Sequence, residues 1–143
     1  MSLELVLTDT PAPEVRAMLL QPLDAANSER ASWRYEPRTL AVLLRETGSV
    51  VGGLWANTNW AWLSVELLFV PERLRGSGLG RRLMRQAEDE AVRRGCRAAR
   101  VDTFSFQARG FYEKLGYRVY GTLEDCPPGH SRYFLQKTLT PPG

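Results

Sequence analysis

The spacing of apolar residues changes period several times along the chain, and each change marks an element. From Pro13 to about Ser28, Val15, Met18, Leu19 and Leu23 recur at helical spacing, with Pro22 expected to kink or split the helix. Ahead of it, Leu3 to Leu7 reads as a short strand that ends at a proline-rich turn. Residues Arg30 to Pro37 are polar and aromatic and read as a loop. The period then falls to two. Strands are predicted over Leu40 to Leu44, Ser49 to Ala56 and Ala61 to Val70, with turns at Glu46-Thr47-Gly48 and Asn57-Thr58-Asn59, which makes a meander. After Pro71 a glycine-rich loop leads into an amphipathic helix, about Leu79 to Arg94. Its apolar stripe is Leu79, Leu83, Met84, Ala87 and Ala91, and Gly95 stops it. Ala98 to Thr103 reads as a strand, Gln107 to Leu115 as a short helix, and Tyr117 to Leu123 and Ser131 to Leu139 as the last strands. The order β, α, three β, α, β, α, β, β predicts the α/β class, a mixed sheet with helices on it.

No linker, repeat or low-complexity stretch interrupts residues 1–143, so a single domain is expected. A hydrophobic fraction of 43% with 24% charged residues excludes a disordered chain. Cys96 and Cys126 are too few for a disulfide framework or a metal site, which favours a reducing compartment and no metal. No apolar run approaches the ~20 residues that span a bilayer. The start, MSLELVLTDTP, lacks the pattern of a signal peptide, so a cytoplasmic protein without a membrane partner is expected. The net charge of +3 is carried almost entirely by arginine and suits an anionic ligand. A nucleic-acid partner is not expected, because Glu88, Asp89 and Glu90 interleave with Arg81, Arg82, Arg85 and Arg93 in a mixed, solvated face.

The loop Arg75-Gly76-Ser77-Gly78-Leu79-Gly80 is the most informative stretch. Glycines at alternate positions let a backbone pass close to a ligand with its N–H groups outward. They open a helix whose amino terminus carries Arg75, Arg81 and Arg82 where the helix dipole would favour acids. A bound polyanion reverses the sign of all three, so the loop reads as a phosphate or pyrophosphate cradle. It is not a Walker loop, which needs Gly-Lys-Ser/Thr. Nor is it a dinucleotide fingerprint, since Arg81 stands where the third glycine belongs and a meander precedes it.

That loop, preceded by Val70-Pro71, resembles the Arg/Gln-x-x-Gly-x-Gly/Ala loop of the GNAT acetyltransferases. Further on, Ala108-Arg109-Gly110-Phe111-Tyr112-Glu113-Lys114-Leu115-Gly116-Tyr117 resembles that family's second signature, Ala-x-x-Phe-Tyr-Glu-Lys-Leu-Gly-Phe/Tyr. Either motif alone is moderately specific, and the two in order cover roughly Arg38 to Leu139. The resemblance implies a GNAT-like acyl-CoA N-acyltransferase fold: a central, mostly antiparallel sheet of about six to seven strands with helices on both faces. It implies an N-acetyltransferase that moves the acetyl group of acetyl-CoA to a primary amine of a small molecule or peptide, by direct attack in a ternary complex. The alternative within the same fold is a non-catalytic acyl-CoA-binding regulatory or sensor module. Homodimers are common in the family.

Carried over position by position, the resemblance assigns the pyrophosphate to Arg75, Gly76, Ser77, Gly78, Leu79 and Gly80, with Arg81 close by. The pantetheine arm pairs with backbone at Leu68, Phe69 and Val70, and Phe111 and Tyr112 border it. A strand bulge usually aims an amide at the thioester there. Tyr112 matches the tyrosine that protonates the departing thiolate, a role its phenol suits. An asparagine common in the family is replaced by Ser105, so Ser105 or Gln107 is left to contact the cofactor arm.

The base that takes a proton from the amine is left open between Glu66, Asp102, His130 and water, with Glu66 leading. Glu66 interrupts an otherwise apolar strand, where burial would raise its pKa toward the useful range. Alternation places it on one face with Trp62, Ser64 and Leu68, so that Trp62 walls the amine pocket. Asp102 is the weaker carboxylate. His130, the sole histidine, follows a Pro-Pro-Gly turn and joins the candidate substrate contacts with Trp33 and Trp62. Tyr35, Trp55 and Trp60 are further aromatic candidates for the acceptor site.

Overall fold

The structure is a computed structural model that describes residues 2–140. Two compact units make up the chain, residues 1–35 and residues 36–143. In the first, α1 (Val15–Ala31) runs without interruption through Pro22 and buries none of its residues. The expected split at Pro22 does not occur; a helix can carry the ring at the cost of one hydrogen bond. Leu3 to Leu7 is not a strand. The alternating pattern is present, but a strand exists only through ladder bonds, and here Leu3, Leu5 and Leu7 are fully exposed.

The second unit is built on one mixed sheet of six strands: β1 (Arg38–Glu46), β2 (Ser49–Asn59), β3 (Trp62–Phe69), β4 (Ala98–Phe104), β5 (Arg118–Glu124) and β6 (Ser131–Thr138). Their order across the sheet is β1-β2-β3-β4-β6-β5. All pairings are antiparallel except the central one, where β3 runs parallel to β4. That crossover is made by α2 (Leu79–Arg93), and α3 (Arg109–Lys114) links β4 to β5.

The core lies on the α2 side of the sheet. Leu83, Met84, Ala87 and Ala91 of α2 are buried, as the helical stripe requires, against Leu40, Leu54, Ala56, Leu63, Val65, Ala99, Val101 and Leu135 from the strands. Arg94, at the carboxyl end of α2, ties the helix to the sheet. Its guanidinium donates to the carbonyls of Arg38 and Thr39 and to the Thr58 hydroxyl, and it pairs with Glu90 at 2.9 Å.

Thr58 is therefore a buried strand residue rather than part of a turn. The turn expected at Asn57-Thr58-Asn59 falls instead at Trp60 and Ala61, both with positive φ (52° and 62°) and flanked by the Asn59–Trp62 pair. A two-residue hairpin turn with both residues left-handed matches the twist of the strands it joins, although neither is the usual glycine or asparagine. The packing of Thr58 and Ala56 against α2 decides the register, and the turn follows.

Candidate active site

Three features of the unit meet around the end of β3. The first is a bulge. Trp55 pairs with Leu67 and Ala56 with Val65, so Glu66 is an extra residue with no opposite number. A bulge of this kind shifts the alternation of a strand by one position. Before it, Leu63 and Val65 face the core; after it, Leu68 and Val70 do. Leu68 is thus on the opposite side from Trp62 and Ser64, not the same side as simple alternation predicts. Glu66 and Leu67 are both exposed. The burial expected for Glu66 is absent, and the bulge rather than desolvation gives it its place. Asn57 donates an N–H to the Glu66 carboxylate at 3.4 Å, which sets that carboxylate on the face opposite α2.

The second feature is a split in the sheet. The parallel ladder of β3 and β4 runs from Trp62 and Ala98 to Val65 and Val101 and stops there, although both strands continue to Phe69 and Phe104. From Glu66 onward the β4-facing backbone groups of β3 have no strand partner among the described residues. Unpaired N–H and C=O groups in a cleft are available to an extended ligand that can pair as a strand would.

The third is the loop beyond Phe69. A short 3₁₀ turn, Glu72–Leu74, leads to Gly76 and Gly78, whose φ values of 86° and 82° are readily available only to glycine. Ser77 donates its hydroxyl to the Leu74 carbonyl at 2.9 Å, and Arg75 donates Nε–H to the Val70 carbonyl at 2.8 Å. The loop is thereby fastened to the end of β3. The first helical N–H to reach a carbonyl is that of Arg82, on Gly78; those of Leu79, Gly80 and Arg81 point outward. No side chain caps this end, and the first turn holds no acid. Beside it a small cleft between α2 and α3 is lined by Arg81, Arg85 and Lys114, with Lys137 held at 2.8 Å by Glu88.

Tyr112 of α3 is 8% exposed and stacks edge-on against Phe111, with ring centroids 5.0 Å apart. Burial, and secondarily the Asp102 charge, push its pKa up to about 12. Its hydroxyl makes no hydrogen bond among the described residues, in contrast to Tyr117, which donates to Glu88 at 2.7 Å. The Asp102 carboxylate accepts from Arg132 at 2.8 Å, which occupies the second carboxylate weighed as base. Ser105 and Gln107 are also engaged: Ser105 Oγ accepts from the Ser131 N–H, and Gln107 Oε1 accepts from Thr103 and the Phe104 N–H. His130 is exposed and packs edge-on against Phe106 at 4.9 Å. Trp62 is half-buried in β3, and Trp33 lies in the first unit, beyond α1.

Glu66, the β3 end from Leu68 to Val70 and the glycine loop thus form one continuous region. Phe111 joins it through Gly80, whose backbone it nearly touches. Asn57 and Arg132 were missed in the sequence: Asn57 reads as a turn former, and Arg132 pairs with Asp102 only because β4 and β6 lie side by side.

Residues 7–117 match the acetyltransferase (GNAT) family. A blasticidin-S acetyltransferase of Streptomyces morookaense is 44% identical over 95 residues, 66% of this chain and 70% of that protein. An acetyltransferase of Agrobacterium fabrum is 38% identical over 133 residues, 92% of this chain and 96% of its own. A crystal structure of an acetyltransferase from Agrobacterium tumefaciens superposes with a TM-score of 0.87 at 37% identity, covering 95% of this chain and 99% of that one. The chain belongs to the acetyltransferase (GNAT) family, and its class of enzyme is an acyltransferase. Among the described residues no group of acidic, histidine or cysteine side chains could hold a metal ion, and no helix is long and apolar enough to cross a membrane.

Proposed function

We propose that residues 1–143 act as one catalytic domain that transfers the acetyl group of acetyl-CoA to a primary amine of a small molecule or peptide, by direct attack within a ternary complex. The observation that carries this reading is the coincidence of the Glu66 bulge with the opening between β3 and β4. The residues present fit acetyl-CoA. The outward amides of Leu79, Gly80 and Arg81, with the positive dipole end of α2, suit its pyrophosphate. The β4-facing backbone at Leu68 suits its amide-bearing arm, whereas the Phe69 carbonyl is turned toward Gly52 of β2 and the Val70 carbonyl is already engaged by Arg75.

Bound there, acetyl-CoA supplies an activated acetyl carbonyl and a thiolate leaving group. The chain does the rest. Glu66 draws the acceptor ammonium by charge and takes its proton, directly or through water. A freed amide at the bulge donates to the carbonyl oxygen as charge builds on it. Tyr112, protonated at neutral pH, donates a hydrogen bond to the departing sulfur. With the phenol at about 12 and an ordinary thiol near 8.5, complete proton transfer runs uphill, so the hydrogen bond is its main contribution. Cys96 is buried in the core and its thiol is pushed up by burial, which supports direct attack over an acyl-cysteine route.

Calorimetric titration with acetyl-CoA tests the cradle, repeated on a variant with Arg75→Ala and Arg81→Ala. Micromolar binding that weakens at least tenfold in the variant, followed by thiol release with an amine panel, supports the reading. Folded protein that binds no acetyl-CoA would sink it.

A further inference from the structure

The face of the sheet opposite α2 carries a contiguous apolar floor that the core does not explain. Leu43, Trp55, Leu67 and Phe69 are 48%, 46%, 65% and 55% exposed, whereas Leu40, Leu54, Leu63 and Leu135 on the α2 side are almost wholly buried. Exposed apolar residues are ordinary when scattered and informative when they adjoin. Here they adjoin by register: Trp55 pairs with Leu67, and Gly53 lies between Leu43 on one side and Phe69 on the other.

Gly53 makes the floor a trough. Its φ is 140°, and a β-carbon there would meet the Val42 carbonyl oxygen at 2.5 Å, so no side chain fills the space between Leu43 and Phe69. Trp55 and Leu67 rise one residue pair further along. The next residue on β3 is Glu66, the bulge carboxylate, with Asn57 donating to it. The trough is therefore continuous with the point at which an amine would be deprotonated, and Glu66 puts a negative charge there, with Arg100 further along the same face donating to Ser64 at 2.8 Å.

We propose that this trough selects the acceptor: a primary amine carried on a flat, largely apolar body, aromatic or heteroaromatic, with the body against Trp55 and Leu67 and the ammonium at Glu66. This rests on the acetyl-transfer reading above and adds the substrate class to it. A ring over Trp55 gains stacking and removes the floor from water, while Glu66 balances the cation. A small hydrophilic polyamine gains only the second of these. Apolar contacts of this size discriminate between substrates by about 10- to 200-fold.

The test uses tryptamine and propylamine, whose amines are similar and whose bodies differ. Acetyl-CoA-dependent turnover and equilibrium binding of each amine are measured on the whole chain and on Trp55→Ala, with circular dichroism to show that the variant folds. The expected result is a kcat/KM at least tenfold higher for tryptamine, lost in Trp55→Ala mainly through KM, with propylamine little changed. Leu67→Ser, placed on the same floor, gives the same pattern if Trp55→Ala fails to fold. Equal turnover of the two amines, or an equal loss for both in the variant, overturns the proposal while leaving acetyl transfer intact. Trp55-dependent binding of tryptamine without acetylation of any amine keeps the substrate class and overturns the transfer reading. No binding and no turnover of either amine overturns both. A stable dimer that Leu67→Asp dissociates assigns the floor to a second copy of the chain, and the proposal falls.

Discussion

Gly80 in the first turn of α2 lies so close to Phe111 of α3 that a β-carbon would stand 3.1 Å from the ring Cζ and 3.2 Å from Cε1. The two residues come from the two signature stretches, so the glycine that exposes the loop amides also seats the helix carrying Tyr112. Gly80→Ala gains about 1 kcal/mol of helix propensity and loses about 1–3 kcal/mol to overpacking against a ring held by its neighbours, so a net loss of up to about 2 kcal/mol is expected. Phe111→Leu in the same chain should recover part of that loss. A double-mutant cycle by chemical denaturation reads the coupling, and strictly additive effects would show that the contact is not sensed.

Tyr112→Phe is expected to lower kcat by roughly 10- to 100-fold with little change in KM for the amine. Because burial and Asp102 raise the phenol to about 12, it stays protonated through the working range. The pH–rate profile between 6 and 10 should therefore keep its shape in the variant. A limb that disappears on substitution would mean that Tyr112 titrates within that range.

Glu66→Gln keeps the shape and the Asn57 contact but removes the charge. We expect kcat/KM for the amine to fall by about 100-fold or more, with acetyl-CoA affinity unchanged by calorimetry. Weakened acetyl-CoA binding would place Glu66 in the cofactor site instead.

Alkaline pH should unfold the protein earlier than its carboxylates and arginines would suggest. Burial raises the Tyr112 phenol, and burial with the Glu88 charge raises that of Tyr117 well above the ordinary range. Below pH ~10 both phenols are neutral folded or unfolded, so their contribution is fully present. Above that, the unfolded chain ionises first and stability falls as pH rises through about 12. Melting temperature should hold from pH 7 to 9 and drop beyond 10, and the drop should be smaller in Tyr112→Phe. An equal drop in that variant would count against the burial argument.

Most of the sheet and all of α2 were legible because their apolar spacing is decided by one buried face. Leu83, Met84, Ala87 and Ala91 could be placed from spacing alone. The Trp60–Ala61 turn was not legible, because its cause is long-range: Thr58 is drawn into the strand by Arg94. Leu3 to Leu7 has the alternation of a strand, but pattern alone cannot supply a pairing partner. In the site, the glycine loop was readable because left-handed backbone needs glycine. The bulge was not. Nothing in Ser64-Val65-Glu66-Leu67 marks which residue will go unpaired, and the exposure of Glu66 and the crossing of Leu68 to the core side both follow from it.

Counted from Glu66, then, β3 is written in two phases, odd residues inward before it and even residues inward after it. Deleting that one position would set Leu67 directly after Val65 and restore simple alternation, with Leu67 and Phe69 still outward and Leu68 and Val70 still on the core side. The strand would keep both faces and lose only the residue that carries the carboxylate. Substitutions at 66 change a side chain; a deletion there would remove the bulge itself and leave the loop at Gly76 departing from the same side of the sheet.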